Sequence, residues 1–140
     1  NMSSCTFTCN AAGEYGGGIY DGEGSSPTLS GCTFRDNSAN DRGGGMYNLS
    51  GSSPTLTNCT FTSNSADEYG GGMYSYSSTP SLSDTTVCGN LPQQVFGYFI
   101  EEGGNCINET CTTCADCPGD LDGDGGVDRS PSSYSARWQA

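Results

Sequence analysis

Apolar side chains along this sequence come in short alternating groups: Cys-Thr-Phe-Thr, Gly-Ile/Met-Tyr and Pro-Thr-Leu, separated by Asn, Ser, Gly and Pro. Alternation with a period of two predicts β-strands, and the breaker residues predict tight corners. No helix-length periodic segment interrupts them. The groups themselves recur. Cys5-Thr6-Phe7 returns as Cys32-Thr33-Phe34 and again, after the same interval, as Cys59-Thr60-Phe61. Asn10, Asn37 and Asn64 keep that interval, as do Ala12, Ala39 and Ala66 and the glycine triplets that begin at Gly16, Gly43 and Gly70. Ile19, Met46 and Met73, followed by Tyr20, Tyr47 and Tyr74, complete a unit that repeats at every twenty-seventh position.

Three short strands and tight corners within each unit fit one turn of a parallel β-solenoid, with equivalent residues stacked about 4.8 Å apart. Strand alternation sends Phe7 and Ile19 inward and Thr6 and Tyr20 outward. The expected core is therefore a set of columns: Phe7, Phe34, Phe61; Ile19, Met46, Met73; Leu29, Leu56, Leu82. The asparagines form a further column that can bond amide to amide along the axis. A degenerate fourth copy follows, in which Thr85-Thr86-Val87 replaces Cys-Thr-Phe, Asn90 keeps the asparagine, and the glycine run is expected to be delayed to Gly103-Gly104.

Asn58-Cys-Thr-Phe-Thr-Ser-Asn-Ser-Ala66 with Gly70-Gly-Gly-Met-Tyr74 resembles the right-handed parallel β-helix repeats of large secreted bacterial proteins. The same residues are similar to polymorphic outer-membrane protein repeats, marked by a Gly-Gly-Ala/Gly-Ile/Leu and a Phe-x-x-Asn element. The resemblance implies an all-β fold, a right-handed parallel β-helix of about three to four coils over residues 1–106; the residues that follow read as a Cys-rich linker over 107–118 and a degenerate calcium loop with an irregular tail over 119–140. It does not fix an activity, because this architecture carries enzymes, adhesins and passive stalks alike.

Composition narrows the choice. The chain has 140 residues, 22 of them glycine, and no lysine or histidine; 16 acidic residues against four arginines give a net charge of −12. Nucleic-acid phosphate would be repelled. No apolar run is long enough for a membrane span, and no charged, then apolar, leader opens the sequence, which hints at a mature fragment. Nine cysteines point to an oxidising, extracellular or cell-surface setting. Cys5, Cys32 and Cys59 form an inward column, expected to be buried thiols rather than bridges; Cys9 is the candidate odd thiol. Cys111, Cys114 and Cys117 have iron–sulfur-like spacing, but disulfides that also involve Cys88 and Cys106 are the simpler expectation.

Asp120, Asp122, Asp124 and Asp128 supply oxygens at positions 1, 3, 5 and 9 of a calcium loop, with Gly125 at position 6. With Cys-Pro before it, the segment resembles a dockerin-like calcium module. The carboxylate expected at position 12 is replaced by Pro131, so any calcium site is expected to be weak. On the solenoid itself, Tyr20, Tyr47 and Tyr74 form an outward strip. Arg42 lies between Tyr15 and Tyr69 in the neighbouring column, beside the acidic column Glu14, Asp41, Glu68. These residues are the candidate surface for a glycan, a cell-surface partner or a second copy, with packing as the plainer alternative. An outward Thr-x-Thr array runs through Thr6, Thr33 and Thr60, broken in its second file by Arg35, and reads as ordinary exposed strand. No catalytic residue is assigned: a lyase needs a base and clustered carboxylates, and Arg35 and Arg42 are the only basic residues in the repeats. The expectation is a non-catalytic structural or adhesive segment, with end-to-end association possible through the open first coil and a carbohydrate-binding module or enzyme remnant as the alternative.

Overall fold

The computed structural model describes residues 1–111. All strands are short and all pairings parallel, arranged in four sheets that wrap one axis as a β-solenoid of three full coils and a shortened fourth. Sheet I carries Met2–Ser3, Thr28–Ser30, Thr55–Thr57, Ser81–Ser83 and Ile100–Glu101; sheet II carries Thr6–Thr8, Thr33–Arg35, Thr60–Thr62, Thr86–Cys88 and Cys106–Asn108. Sheet III is Ala11–Ala12, Ser38–Ala39 and Ser65–Ala66, and sheet IV is Ile19–Asp21, Met46–Asn48, Met73–Ser75 and Val95–Phe96. Phe7 pairs with Phe34 and Phe34 with Phe61, so the repeat interval is the register of the sheets.

The core is made of the expected columns. Phe7, Phe34 and Phe61 stack with ring centroids 4.7 and 4.3 Å apart and planes within 8°. Val87 and Ile107 continue that column. Leu29, Leu56 and Leu82 form a second column and Met46, Met73 and Val95 a third, all wholly buried. Burying each such side chain stabilises the fold by about 1.5–3 kcal/mol.

Between sheets II and III the chain turns through a left-handed residue, Cys9, Asp36, Ser63 or Gly89, immediately before each asparagine. That turn leaves backbone donors and acceptors facing the interior, and the asparagines satisfy them. The Asn37 backbone N–H and Nδ2 both donate to Asn64 Oδ1, at 3.0 and 2.9 Å. Asn64 treats Asn90 in the same way. Each Nδ2 also donates to a phenylalanine carbonyl one coil earlier: Asn37 to Phe7, Asn64 to Phe34, Asn90 to Phe61. Asn90 is the last rung. Its N–H and Nδ2 donate to Gln94 Oε1, and Gln94 Nε2 donates back to the Asn90 carbonyl.

The cysteine column behaves as unbridged thiols, since Cys5, Cys9, Cys32 and Cys59 are all free. They do more than fill space. Cys32 Sγ approaches the Met2 carbonyl at 3.7 Å and Cys59 Sγ the Leu29 carbonyl at 3.6 Å. Further along the same column Asn105 makes a stronger version of this bond, its Nδ2 donating to the Leu82 carbonyl at 2.7 Å, while its Oδ1 accepts from the Thr85 N–H at 2.8 Å. Burial pushes the Cys59 thiol pKa up, which keeps it protonated. Cys88 is bridged to Cys111, and Cys106 is also disulfide-bonded.

One expectation fails. Gly103-Gly104 is not the delayed glycine run. Gly104, with φ +70°, stacks beside Asp84 as the last member of the left-handed corner formed by Ser4, Gly31, Asn58 and Asp84. The fourth coil drops the glycine run and becomes shorter: Met73 pairs with Val95, and Val87 with Ile107, across fewer positions than a full repeat. The glycine run itself is a close-approach device, since a Cβ at Gly44 would collide with the carbonyl oxygens of Ser65 and Gly71.

Replacing Asn64 with Ala removes its side-chain bonds to Asn37, Phe34 and Asn90 and strands the buried Asn37 N–H and Phe34 carbonyl, so unfolding by urea should lose about 3 kcal/mol or more. Thr60→Ala, on the outer side of sheet II, should cost under about 1 kcal/mol.

Candidate functional site

Sheet IV displays the aromatic strip. Tyr20, Tyr47 and Tyr74 are in register with one another and with Phe96, because they are the outward middle residues of their strands. The rings stack at 5.3, 5.2 and 5.3 Å with planes within 7° of parallel. At this spacing Tyr47 and Tyr74 have a neighbouring ring on both faces, whereas Tyr20, at the start of the stack, has one on a single face.

A second layer lies against the ladder. Tyr15, Arg42 and Tyr69 are joined by parallel bridges along the preceding turn. Each packs on the ladder ring of the next coil: Tyr15 on Tyr47 at 4.8 Å, Tyr69 on Phe96 at 4.6 Å, and the Arg42 guanidinium on Tyr74 at 5.4 Å. Arg42 also lies 5.7 Å from the Tyr69 ring. This layer buries Tyr47 and Tyr74 to 5% and 6% exposure, while Tyr20 remains 50% exposed. The four sequence-predicted surface residues Tyr20, Tyr47, Tyr74 and Arg42 thus share one face, but the middle rings are sandwiched and only Tyr20 is broadly open.

The charges here are largely matched. Arg42 donates through Nη2 to Glu68 at 2.9 Å and pairs with Asp41 at 3.3 Å. The Glu68 bond, chiefly, raises the already high Arg42 pKa further. Tyr15 is held up mainly by its hydrogen bond to Asp41, and Tyr47 mainly by burial. Arg35, the other cation of the coils, pairs with its neighbour Asp36 at 3.0 Å on the exposed side of sheet II. Asp120, Asp122, Asp124 and Asp128 lie outside the described residues. Among the described residues no three His, Cys, Asp or Glu side chains converge as metal ligands.

The chain matches the family model for a right handed beta helix region over residues 1–127. That match spans most of the sequence and agrees with the stacked parallel coils. The chain belongs to the right-handed β-helix family. No curated protein and no solved structure matches it.

Behind the tyrosine ladder this β-helix holds an acidic group that the sequence reading passed over. Asp21 follows Tyr20 on the inward side of sheet IV, in register with Asn48, which in turn pairs with Ser75. It is 4% exposed; one carboxylate oxygen accepts from Ser25 and the other has no protein partner. Burial pushes its pKa up, against weaker opposition from serine hydroxyls. The repeat interval, which aligns Asp21 with Asn48, was the available signal.

A carboxylate whose pKa rises on folding contributes most to stability when protonated. The Asp21 contribution is full below its ordinary value of 3.8 and is lost as pH rises through the raised value. Asp21→Asn, which copies the next coil, should therefore stabilise the protein at pH 7 by about 1 kcal/mol. It should also flatten the rise in urea midpoint that the native chain shows on acidification from neutrality; an unchanged pH profile would show that Asp21 stays hydrated.

Proposed function

We propose that this β-helix is a non-catalytic structural or adhesive segment of a secreted or cell-surface bacterial protein, of the kind built from polymorphic outer-membrane protein-like repeats. The observation that carries the reading is the ladder of sheet IV: four rings in continuous contact, braced by a second layer, form a stiff strip at fixed spacing rather than a reaction cleft. The matched pairs of Arg42 with Asp41 and Glu68 support it, since a base or nucleophile must be less committed than these groups. The disulfide between Cys88 and Cys111 supports an oxidising compartment. Among the described residues no helix is long and apolar enough to cross a membrane.

The tail enters this reading as a weak calcium loop formed by Asp120, Asp122, Asp124 and Asp128, on the dockerin-like plan. Carbohydrate binding is the second reading, favoured by the half-exposed Tyr20 ring, a flat surface on which a sugar can stack.

Beads coated with the protein should adhere to cells or matrix while the soluble protein releases no reducing ends from acidic or neutral polysaccharides. Depolymerisation that disappears in Asp41→Asn would replace this reading with a catalytic one. Saturable binding to a glycan array that is lost in Tyr20→Ser would favour the carbohydrate-binding role.

A further inference from the structure

The repeat changes character at one place on its outer surface. Two residues beyond the ladder position, the first two coils carry Gly22 and Leu49, whereas the last two carry Tyr76 and Tyr98. The register continues through this position as far as Tyr76, because Leu49 N–H donates to the Asp21 carbonyl and Tyr76 N–H to the Asn48 carbonyl, each at 2.9 Å. Tyr76 and Tyr98 are 52% and 61% exposed, so neither is there to complete the core. Together with Tyr74, Ser75, Ser77, Phe96 and Gly97 they line a cleft of about 330 Å³; the Ser75 hydroxyl itself is turned inward and accepts from Asn48 Nδ2. That volume lies at the small end of ligand sites.

We propose that this cleft binds an organic cation, and that its natural occupant is the guanidinium of an arginine side chain on a partner protein. Three observations select that chemistry. The lining is aromatic and hydroxylic with no charged side chain, so the recognition it offers is π-face and hydrogen-bond acceptor. The protein around it carries a net charge of −12, which attracts a cation and repels an acidic glycan or peptide. The same aromatic surface already accommodates a guanidinium, for Arg42 lies 5.4 Å from the Tyr74 ring and 5.7 Å from Tyr69. Arg42, its side chain 30% exposed, packs on the ladder from the preceding turn; the cleft, lined by neither Arg42 nor Tyr69, offers an incoming arginine the exposed rings of Tyr76 and Tyr98.

This site deepens the adhesive reading and rests on it, yet the two fail separately: adhesion of the coated beads does not depend on which residue makes the contact. The test is a titration of the full chain, following the tyrosine ring protons by NMR, with four probes: N-acetylarginine methylamide, its citrulline counterpart, tetramethylammonium and methyl β-glucoside. The arginine probe should give saturable shifts, weaken as salt is raised to about 0.5 M, and lose roughly tenfold in affinity in the Tyr76→Ser, Tyr98→Ser double variant. Tyr98→Phe, which keeps the ring face, and Tyr20→Ser, outside the cleft, should bind as the native chain does. Tetramethylammonium binding with no arginine binding would overturn the arginine assignment in favour of a small quaternary ammonium ligand. Citrulline binding as tightly as arginine, saturation by the glucoside alone, or full arginine affinity in the double serine variant would overturn the cation site altogether.

Discussion

Every coil of this molecule must turn a corner between sheets II and III without leaving polar backbone groups unpaired inside. The asparagine column meets that constraint. One amide oxygen takes both the side-chain and the main-chain N–H of the coil before it, as Asn64 does for Asn37, while the amide nitrogen reaches a phenylalanine carbonyl. The phenylalanines in turn stack within 4.7 Å of each other because those carbonyls are held at the repeat distance. The aromatic core and the amide ladder are therefore one arrangement: disturbing the corner moves the rings, and overpacking the rings strains the corner.

The inner and outer ladders use the same periodicity differently. Inside, the phenylalanine column tapers to Val87 and Ile107 as the coil contracts, which keeps the core filled when the fourth turn shortens. Outside, the tyrosines keep their ring stack to its end at Phe96, and the free volume appears beside it, at Tyr76 and Tyr98. The coil thus shortens where the surface cleft lies, at the point where the repeat acquires extra aromatic residues.

The regular period made the columns of Phe7, Leu29, Met46 and Asn37 legible, because a solenoid converts sequence interval directly into spatial contact. The fourth coil was harder. Its length changes, so interval no longer gives register, and Gly103-Gly104 resembled a displaced triplet although Gly104 serves a corner. The burial of Tyr47 and Tyr74 was also hidden: alternation gives the outward direction, but the covering layer of Tyr15, Arg42 and Tyr69 comes from a different turn and reaches across to the next coil. Asp21 was aligned with Asn48 from the start; what the period alone could not say is that the position leaves one oxygen without a partner.

The asparagine ladder has a direction. From asparagine to asparagine, each donates its main-chain N–H and an amide hydrogen to the coil that follows, and Gln94 closes the series from within the coil of Asn90 itself. A further full repeat inserted before that coil meets a waiting acceptor and donor, whereas one inserted after it meets a glutamine already engaged. Gene duplication can therefore lengthen such an array on its amino-terminal side while the closing turn is inherited unchanged, and lineages would be expected to differ in the number of turns rather than in how the stack finishes.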